Sequence, residues 1–112
     1  MELAEIGKNI LTNCMNVKPG ENVLIVTDDE KYAIGQALYQ AAKLLKAEAM
    51  LMTMTAREVS GQEPPAVVAA AMKAADVVIC PMKTSITHTR AKIEAAEAGA
   101  RIATMPGLPW VL

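Results

Sequence analysis

Aromatic residues and cysteines are scarce in this 112-residue sequence, which has no phenylalanine, one tryptophan, two tyrosines and two cysteines. Small disulfide-stabilised secreted domains carry many more cysteines, and Cys14 and Cys80 are far apart, with no Cys-x-x-Cys motif. Apolar residues nevertheless make up 53% of the chain. A core of Ala, Val, Leu, Ile and Met suits close packing of helices on a sheet. We therefore expect Cys80 to be a small buried residue rather than half of a disulfide.

An excess of positive charge and a long hydrophobic run are also missing. The net charge is −1 and the basic residues are scattered, so the stripe that nucleic-acid binding requires is not present. No run of about 18 apolar residues exists, which argues against a membrane span. The acidic start, Met-Glu-Leu-Ala-Glu, lacks the basic region of a signal peptide. The sequence predicts a cytoplasmic protein with neither a nucleic-acid nor a membrane partner.

Metal ligands are few as well. A zinc site needs about four ligands at close spacing, and the chain has one histidine and two separated cysteines. Carboxylates could contribute, but no compact set of ligands is visible. We therefore predict no metal site and no cofactor in this chain.

Helices and strands alternate in the remaining pattern. Apolar residues at helical spacing predict helices, and short apolar runs bounded by polar or breaking residues predict buried strands. The predicted helices are 3–15, 30–46, 64–75 and 88–98, and the predicted strands are 23–26, 49–55, 77–80 and 101–105. Such strands predict one α/β domain over residues 1–112, an open three-layer Rossmann-like fold. Its mainly parallel four-stranded sheet should have the order 2-1-3-4.

The sequence also predicts one helix cap and the orientation of one set of side chains. Gly99 follows the fourth helix where a left-handed C-terminal cap belongs. Met50, Met52 and Met54 alternate along the second strand and should point to one face. Such a stripe fills a core more often than it forms a soft binding surface, and we expect core filling.

Ligands of open parallel sheets bind outside the carboxyl ends of the strands. The first strand is followed there by Asp28 and Asp29, which could bind a ribose or a metal but which more often cap a helix. The turn from Thr27 to Tyr32 contains no glycine and carries acidic charge. The backbone therefore cannot approach a pyrophosphate closely, and the sequence argues against a dinucleotide or P-loop nucleotide site.

The third strand is followed by an unusual cluster, in which six of the seven residues from 84 to 90 have polar or charged side chains. They are Thr84, Ser85, Thr87, His88, Thr89 and Arg90. One interpretation is capping of the fourth helix by Thr84 or Thr87, with the other groups solvated. The alternative is a small-anion or carboxylate site at the helix N-terminus, with His88 and Arg90 as donors. The only histidine is weak evidence for catalysis, because catalytic sets form in space rather than in sequence.

Several sequence segments resemble the amino-terminal domain of the aminopeptidase T-type, or thermophilic leucyl aminopeptidase, metallopeptidase family. They are Val17-Lys18-Pro19-Gly20-Glu21-Asn22-Val23-Leu24-Ile25-Val26-Thr27-Asp28, Ala75-Asp76-Val77-Val78-Ile79, Ser85-Ile86-Thr87-His88-Thr89-Arg90-Ala91 with Glu94, Gly99-Ala100-Arg101-Ile102-Ala103 and Met105-Pro106-Gly107. The resemblance covers nearly the whole chain. The stretch from Thr87 to Gly107 carries most of its specificity.

This resemblance implies a non-catalytic domain of a longer hydrolase that shapes access to an active site elsewhere. It implies a divalent metal (zinc, cobalt or manganese) and a peptide substrate only for the full-length family, and a homodimeric assembly. It also implies a related branch of iron-dependent ring-cleaving dioxygenases of dihydroxypyridines, which this part of the chain does not separate from the peptidases. A stand-alone small-anion-binding module and an oligomerisation module remain the alternatives.

Overall fold

A computed structural model describes residues 3–59, 62–84, 86 and 89–106. A π-helical segment, Ile10–Cys14, continues the first helix, and the other elements alternate. The helices are α1 Leu3–Asn9, α2 Tyr32–Leu44, α3 Ala66–Ala74 and α4 Arg90–Glu97, and the strands are β1 Asn22–Asp28, β2 Glu48–Met54, β3 Val77–Met82 and β4 Arg101–Pro106. No helix in these described ranges combines the length and the hydropathy that crossing a membrane would need.

The four strands form one parallel sheet in the order β2-β1-β3-β4. In its register, Val23 of β1 lies beside Ala49 of β2 and Val77 of β3, and Val77 in turn lies beside Arg101 of β4. The two central strands are buried on both faces, which explains their uninterrupted apolar sequences. The predicted fold class and strand order are therefore confirmed.

Each face of the sheet packs on its own apolar core, because successive side chains of a strand point to opposite faces. Leu24 and Val26 belong to the core beneath α3 and α4, whereas Val23 and Ile25 belong to the core beneath α1 and α2. Leu38 on α2 and Met72 on α3 are almost completely buried in their respective cores. The result is the predicted three-layer arrangement.

The element ends differ from the predictions in ways that hydrogen bonding explains. The predicted helix 3–15 is α-helical only to Asn9, because the backbone N–H of Met15 bonds to the carbonyl of Ile10 five residues earlier. Helix α2 begins at Tyr32 rather than at residue 30, since the preceding residues form a turn. On α3, Val67 is 72% exposed, whereas Val68 and Met72 are buried.

Two helices end in the same backbone motif, with a positive φ at the residue after the cap. Gly99 has φ of 108°, and the next N–H, that of Ala100, bonds to the carbonyl of Ala95. The predicted glycine cap is confirmed. At the end of α2 the equivalent position is Lys46, with φ of 65°, so this helix ends the same way without a glycine.

The methionine stripe is only partly used in the core. Met54 is buried, Met52 packs against the α3–α4 core from its edge, and Met50 is 39% exposed. The stripe occupies one face of β2, as the alternation predicted. Met54 therefore has the expected core-filling role, whereas Met50, near the start of the strand, is exposed and does not.

The amino ends of three strands are joined by polar contacts. The Arg101 guanidinium donates to Oε1 of Glu21 at 2.6 Å and to the carbonyl of Met15 at 3.1 Å. The hydrogen bond from Arg101, helped by the Lys18 N–H, lowers the pKa of Glu21, and the same carboxylate raises the pKa of Arg101. Asp76 joins β1 to β3, because its Oδ2 accepts from the Asn22 N–H at 2.8 Å.

Helix α2 approaches β1 most closely at Gly35. A Cβ atom added there would lie 2.7 Å from Cγ2 and 2.8 Å from Cβ of Thr27, well inside contact distance. Thr27 is fully buried, and its hydroxyl donates to the carbonyl of Pro81 at 2.8 Å. The side chain cannot rotate away without breaking this bond, so glycine is required for space rather than for backbone freedom.

We predict that Gly35→Ala lowers the free energy of unfolding by about 1–3 kcal/mol through overpacking, measured by urea denaturation. Gln36→Ala, an exposed position on the same helix, is the control and should have little effect. Adding Thr27→Ser, which removes Cγ2 but keeps the hydroxyl, should recover part of the loss. Wild-type stability of Gly35→Ala would show that α2 can move away from β1 without cost.

Candidate functional site: the carboxyl edge of the sheet

The chain order of the sheet reverses between β1 and β3, the two central strands. In open α/β sheets, ligands bind in the crevice outside the carboxyl ends of the strands at such a reversal. Here the crevice is bordered by Asp28, the last residue of β1, with the residues that follow it, and by the residues that follow β3, beginning with Lys83. These two loops also hold most of the candidate residues chosen from the sequence.

Asp28 connects the two loops directly. Its side chain is fully buried, and Oδ1 accepts from the backbone N–H groups of Glu30 at 3.0 Å and Lys31 at 2.9 Å. Oδ2 accepts from the N–H of Lys83, across the crevice, at 2.7 Å. A buried carboxylate is costly unless such donors surround it, and charge-assisted bonds to backbone N–H groups are strong. We call this set of three bonds the Asp28 latch.

Asp29 ties the same turn to the loop after β2. Its Oδ1 accepts from the Ala56 N–H at 3.1 Å, and its own N–H donates to the carbonyl of Met54 at 3.1 Å. Neither aspartate caps α2 strictly, since the residue before the helix is Lys31, whose side chain makes no capping bond. The expected helix-capping role of the pair was therefore wrong, and the two acids instead hold a turn and two loops.

An exposed ion pair repeats the connection made by the latch. The Lys83 ammonium lies 3.2 Å from a carboxylate oxygen of Glu30. The hydrogen bond to Glu30 raises the pKa of Lys83, and the nearby charges of Glu58 and Asp28 act in the same direction. Both groups are open to solvent, where such pairs contribute little stability. The buried latch is the stronger link between the loops.

The polar cluster of residues 84–90 falls only partly within the described structure. Thr84, Thr89 and Arg90 are described, whereas Ser85, Thr87 and His88 lie outside the described residues. The cap of α4 is Thr89, not Thr84 or Thr87 as the sequence suggested. Its buried hydroxyl accepts from the Lys92 N–H at 3.2 Å and donates to the carbonyl of Ile86 at 2.6 Å.

The first two amides of α4 bind a carboxylate that belongs to the chain itself. Oε2 of Glu63 accepts from the Arg90 N–H at 2.7 Å, and Oε1 accepts from the Ala91 N–H at 3.2 Å. A helix N-terminus favours such an anion. Sequence reasoning placed Glu63 in a loop and missed this contact. No local signal could have found it, because 27 residues separate Glu63 from Arg90.

The Arg90 side chain does not join this contact. It is 83% exposed, and its Nε lies 3.8 Å from the carboxylate of Glu94 on the next helical turn. Together with Ile93 and Glu97, these residues and Glu63 line an open groove of about 590 Å³. An external anion site at this helix start therefore stays a prediction. Such an anion would have to compete with Glu63 for two of the amides.

Metal and thiol chemistry find few suitable groups in the described part of the chain. No group of three or more His, Cys, Asp or Glu side chains in residues 3–59, 62–84, 86 and 89–106 could hold a metal ion. Asp28 and Asp29, the adjacent aspartates that the sequence offered as possible metal ligands, already accept backbone N–H groups. Cys80 is a free, buried thiol, as expected, and burial raises its pKa to about 12. It is therefore not a reactive thiolate.

Comparison with known proteins gives a similarity to a solved structure. No protein-family model matches the chain, and no curated protein matches it. Among solved structures, the chain is similar to 2,5-dihydroxypyridine dioxygenase from Pseudomonas putida KT2440, with a TM-score of 0.75 and 18% sequence identity. The similarity covers 93% of this chain and 33% of the dioxygenase, so the chain spans about a third of that protein's length. At this identity the comparison establishes the fold alone.

The resemblance to aminopeptidase T-type metallopeptidases was wrong, and so was the hydrolase function that it implied. The structural similarity is to a dioxygenase, and no peptidase family matches the sequence. The sequence segments on which the resemblance was based have structural roles. Pro19-Gly20 forms a turn before β1, Gly99 ends α4, and Arg101 anchors the start of β4. Such features belong to the α/β fold and do not define a reaction.

We predict that Asp28→Asn lowers the free energy of unfolding by about 2–3 kcal/mol, because the amide nitrogen would face the Lys83 N–H and leave it unpaired. Asp29→Asn is the matched control. It can keep its single exposed acceptor contact with Ala56 and should cost less than about 1 kcal/mol. Urea denaturation measures both, and hydrogen exchange at Lys83 should accelerate only in Asp28→Asn. Equal effects of the two substitutions would contradict the latch.

We predict that Glu63→Ala destabilises the protein by about 1 kcal/mol, since two N-terminal amides of α4 lose their acceptor. If this helix start accepts external anions, phosphate should raise the melting temperature of Glu63→Ala more than that of the wild type. Glu97→Ala, in the same groove, removes an equal charge without touching these amides and should respond as the wild type does. An identical phosphate response in all three proteins would reject the anion site.

Proposed function

We propose that this chain acts as a scaffold domain of a larger dioxygenase-like protein and does not itself carry the reacting centre. The observation that supports this most directly is the use of the acidic groups at the carboxyl edge. Asp28, Asp29 and Glu63 each bind backbone amides of another loop or helix. Carboxylates used in this way hold loops in place. Few carboxylates at this edge are therefore left to bind a substrate or an ion.

The structural similarity is consistent with that role. The fold of this chain corresponds to about a third of 2,5-dihydroxypyridine dioxygenase, so the rest of that protein has no counterpart here. We infer that dioxygenation of a hydroxylated pyridine is the activity of the whole protein to which such a domain would belong. In that arrangement, the Asp28 latch would hold the loops after β1 and β3 in a fixed geometry. These loops would lie where this domain contacts the rest of the larger protein.

A divalent metal for such an activity does not fit the residues that the structure describes. Asp28 and Asp29 accept backbone N–H groups, Glu30 pairs with the Lys83 ammonium, and His88 lies outside the described residues. We therefore assign no metal or cofactor to this chain and no chemical step to its side chains. We also infer a cytoplasmic location, which the free, buried Cys80 supports.

The proposal is tested by asking whether the chain alone binds or converts the dioxygenase substrate. After incubation with Fe(II) and gel filtration, we expect far less than one metal ion per chain and no oxygen uptake with 2,5-dihydroxypyridine. The Pseudomonas putida dioxygenase serves as the positive control. Amide shifts at Lys31 and Lys83 should be the same with 2,5-dihydroxypyridine and with unsubstituted pyridine.

Two outcomes would overturn the scaffold role. The first is oxygen uptake that depends on 2,5-dihydroxypyridine and survives repurification of the chain. The second is saturable binding of 2,5-dihydroxypyridine, but not of pyridine, that shifts the Lys31 and Lys83 amides, because the crevice would then be a ligand site.

A further inference from the structure

One edge of the sheet is an uninterrupted strand with no neighbour among the described residues. All seven residues of β2 pair in parallel register with β1, from Glu48 beside Asn22 to Met54 beside Asp28, and no bulge interrupts the ladder. Because β2 is first in the strand order, its other side presents unpaired backbone N–H and C=O groups. Such an edge is a template for pairing with another strand.

The usual features that protect an edge are missing from β2. Its sequence, Glu-Ala-Met-Leu-Met-Thr-Met, contains no lysine and no proline, and its one charge stands at the first residue. The opposite edge is different, because β4 begins with Arg101 and ends with Pro106. Charges and prolines at an edge discourage further strand pairing. Of the two edges, β2 is therefore better suited to add a strand.

Apolar groups are exposed on both sides of this edge. On the α3 side, Met50 is 39% exposed and borders a groove of about 310 Å³. The other residues that line the groove are Asn22, Leu24, Ala71, Ala74 and Ala75. On the α2 side, Leu44 is 65% exposed. Exposed apolar surface next to unpaired backbone marks a site of association.

The side of the molecule that carries β2 is large enough for a stable interface. The Cα extents are 31 × 31 × 19 Å. Four strands about 4.8 Å apart span roughly 14 Å, which identifies the shortest extent as the direction across the sheet. The β2 side is therefore bounded by the two longer extents. A side of this size can supply the roughly 800 Å² per partner that a standard stable interface buries.

We propose that two copies of this chain pair their β2 strands antiparallel about a two-fold axis, which makes one continuous eight-stranded sheet. Centred on Leu51, this pairing sets Met50 of one copy beside Met52 of the other on the α3 side. It places Leu51 beside its own counterpart on the α2 side, and it leaves both Glu48 side chains at the ends of the interface. No charge is buried, and the surface is complementary to itself, as a two-fold dimer requires.

The test is the oligomeric state of the whole chain, measured by sedimentation velocity from micromolar to near-millimolar concentration. We expect a monomer–dimer equilibrium in the wild type. Met50→Lys and Thr53→Lys, which place a charge on either face of β2, should each weaken dimerisation at least tenfold. The control is Ile93→Lys on α4. It replaces another half-exposed apolar side chain, outside β2, and should leave the equilibrium unchanged. Far-ultraviolet circular dichroism and melting of dilute samples must show that the three variants remain folded.

Hydrogen exchange locates the interface independently of these variants. Amides in residues 48–54 should exchange more slowly at high concentration than at low concentration, whereas those of β4 should not change. A monomer at every concentration overturns the proposal. A dimer that tolerates both lysine variants, or one whose concentration-dependent protection lies in β4, also overturns it. None of these results depends on substrate binding, so the scaffold role is tested separately.

Discussion

A single buried carboxylate holds the carboxyl edge of this sheet together. Asp28 stands at the end of β1, one of the two central strands, where the chain order reverses, and it receives three backbone N–H groups from two different loops. Burying a charge in this position would be unfavourable without those donors, and the donors would be unpaired without the charge. The geometry of the loops after β1 and β3 therefore depends on one side chain.

The close approach of α2 to β1 supports the same region from one face of the sheet. Gly35 allows the helix to lie against Thr27, the residue before Asp28, and the Thr27 hydroxyl reaches Pro81 on β3. Steric contact, a neutral hydrogen bond and the carboxylate bonds thus act on adjacent residues of β1. On the other face of the sheet, Glu63 joins the loop before α3 to the start of α4. The carboxylates of Asp28 and Glu63 thereby occupy two positions at which an α/β domain could bind an anionic ligand.

The mistaken peptidase assignment shows that short sequence motifs in an α/β protein can reflect the fold and not the reaction. A Pro-Gly turn before a buried strand, a glycine after a helix and an arginine at a strand start are solutions to folding problems that many parallel α/β domains share. They recur for structural reasons, and a reaction cannot be inferred from them. The similarity to the dioxygenase rests on the whole path of the chain, and for the same reason it describes the fold.

The sequence by itself determined the alternation of helices and strands, the parallel sheet with its order and the left-handed cap at Gly99, because hydrophobic periodicity and turn chemistry act over a few residues. It did not determine the partners of the polar groups. The contacts from Asp28 to Lys83 and from Glu63 to Arg90 join residues 55 and 27 positions apart, and only folding brings them together. The exposure of Val67 and Met50 was likewise decided by the tertiary structure, since it depends on which neighbouring elements cover each face.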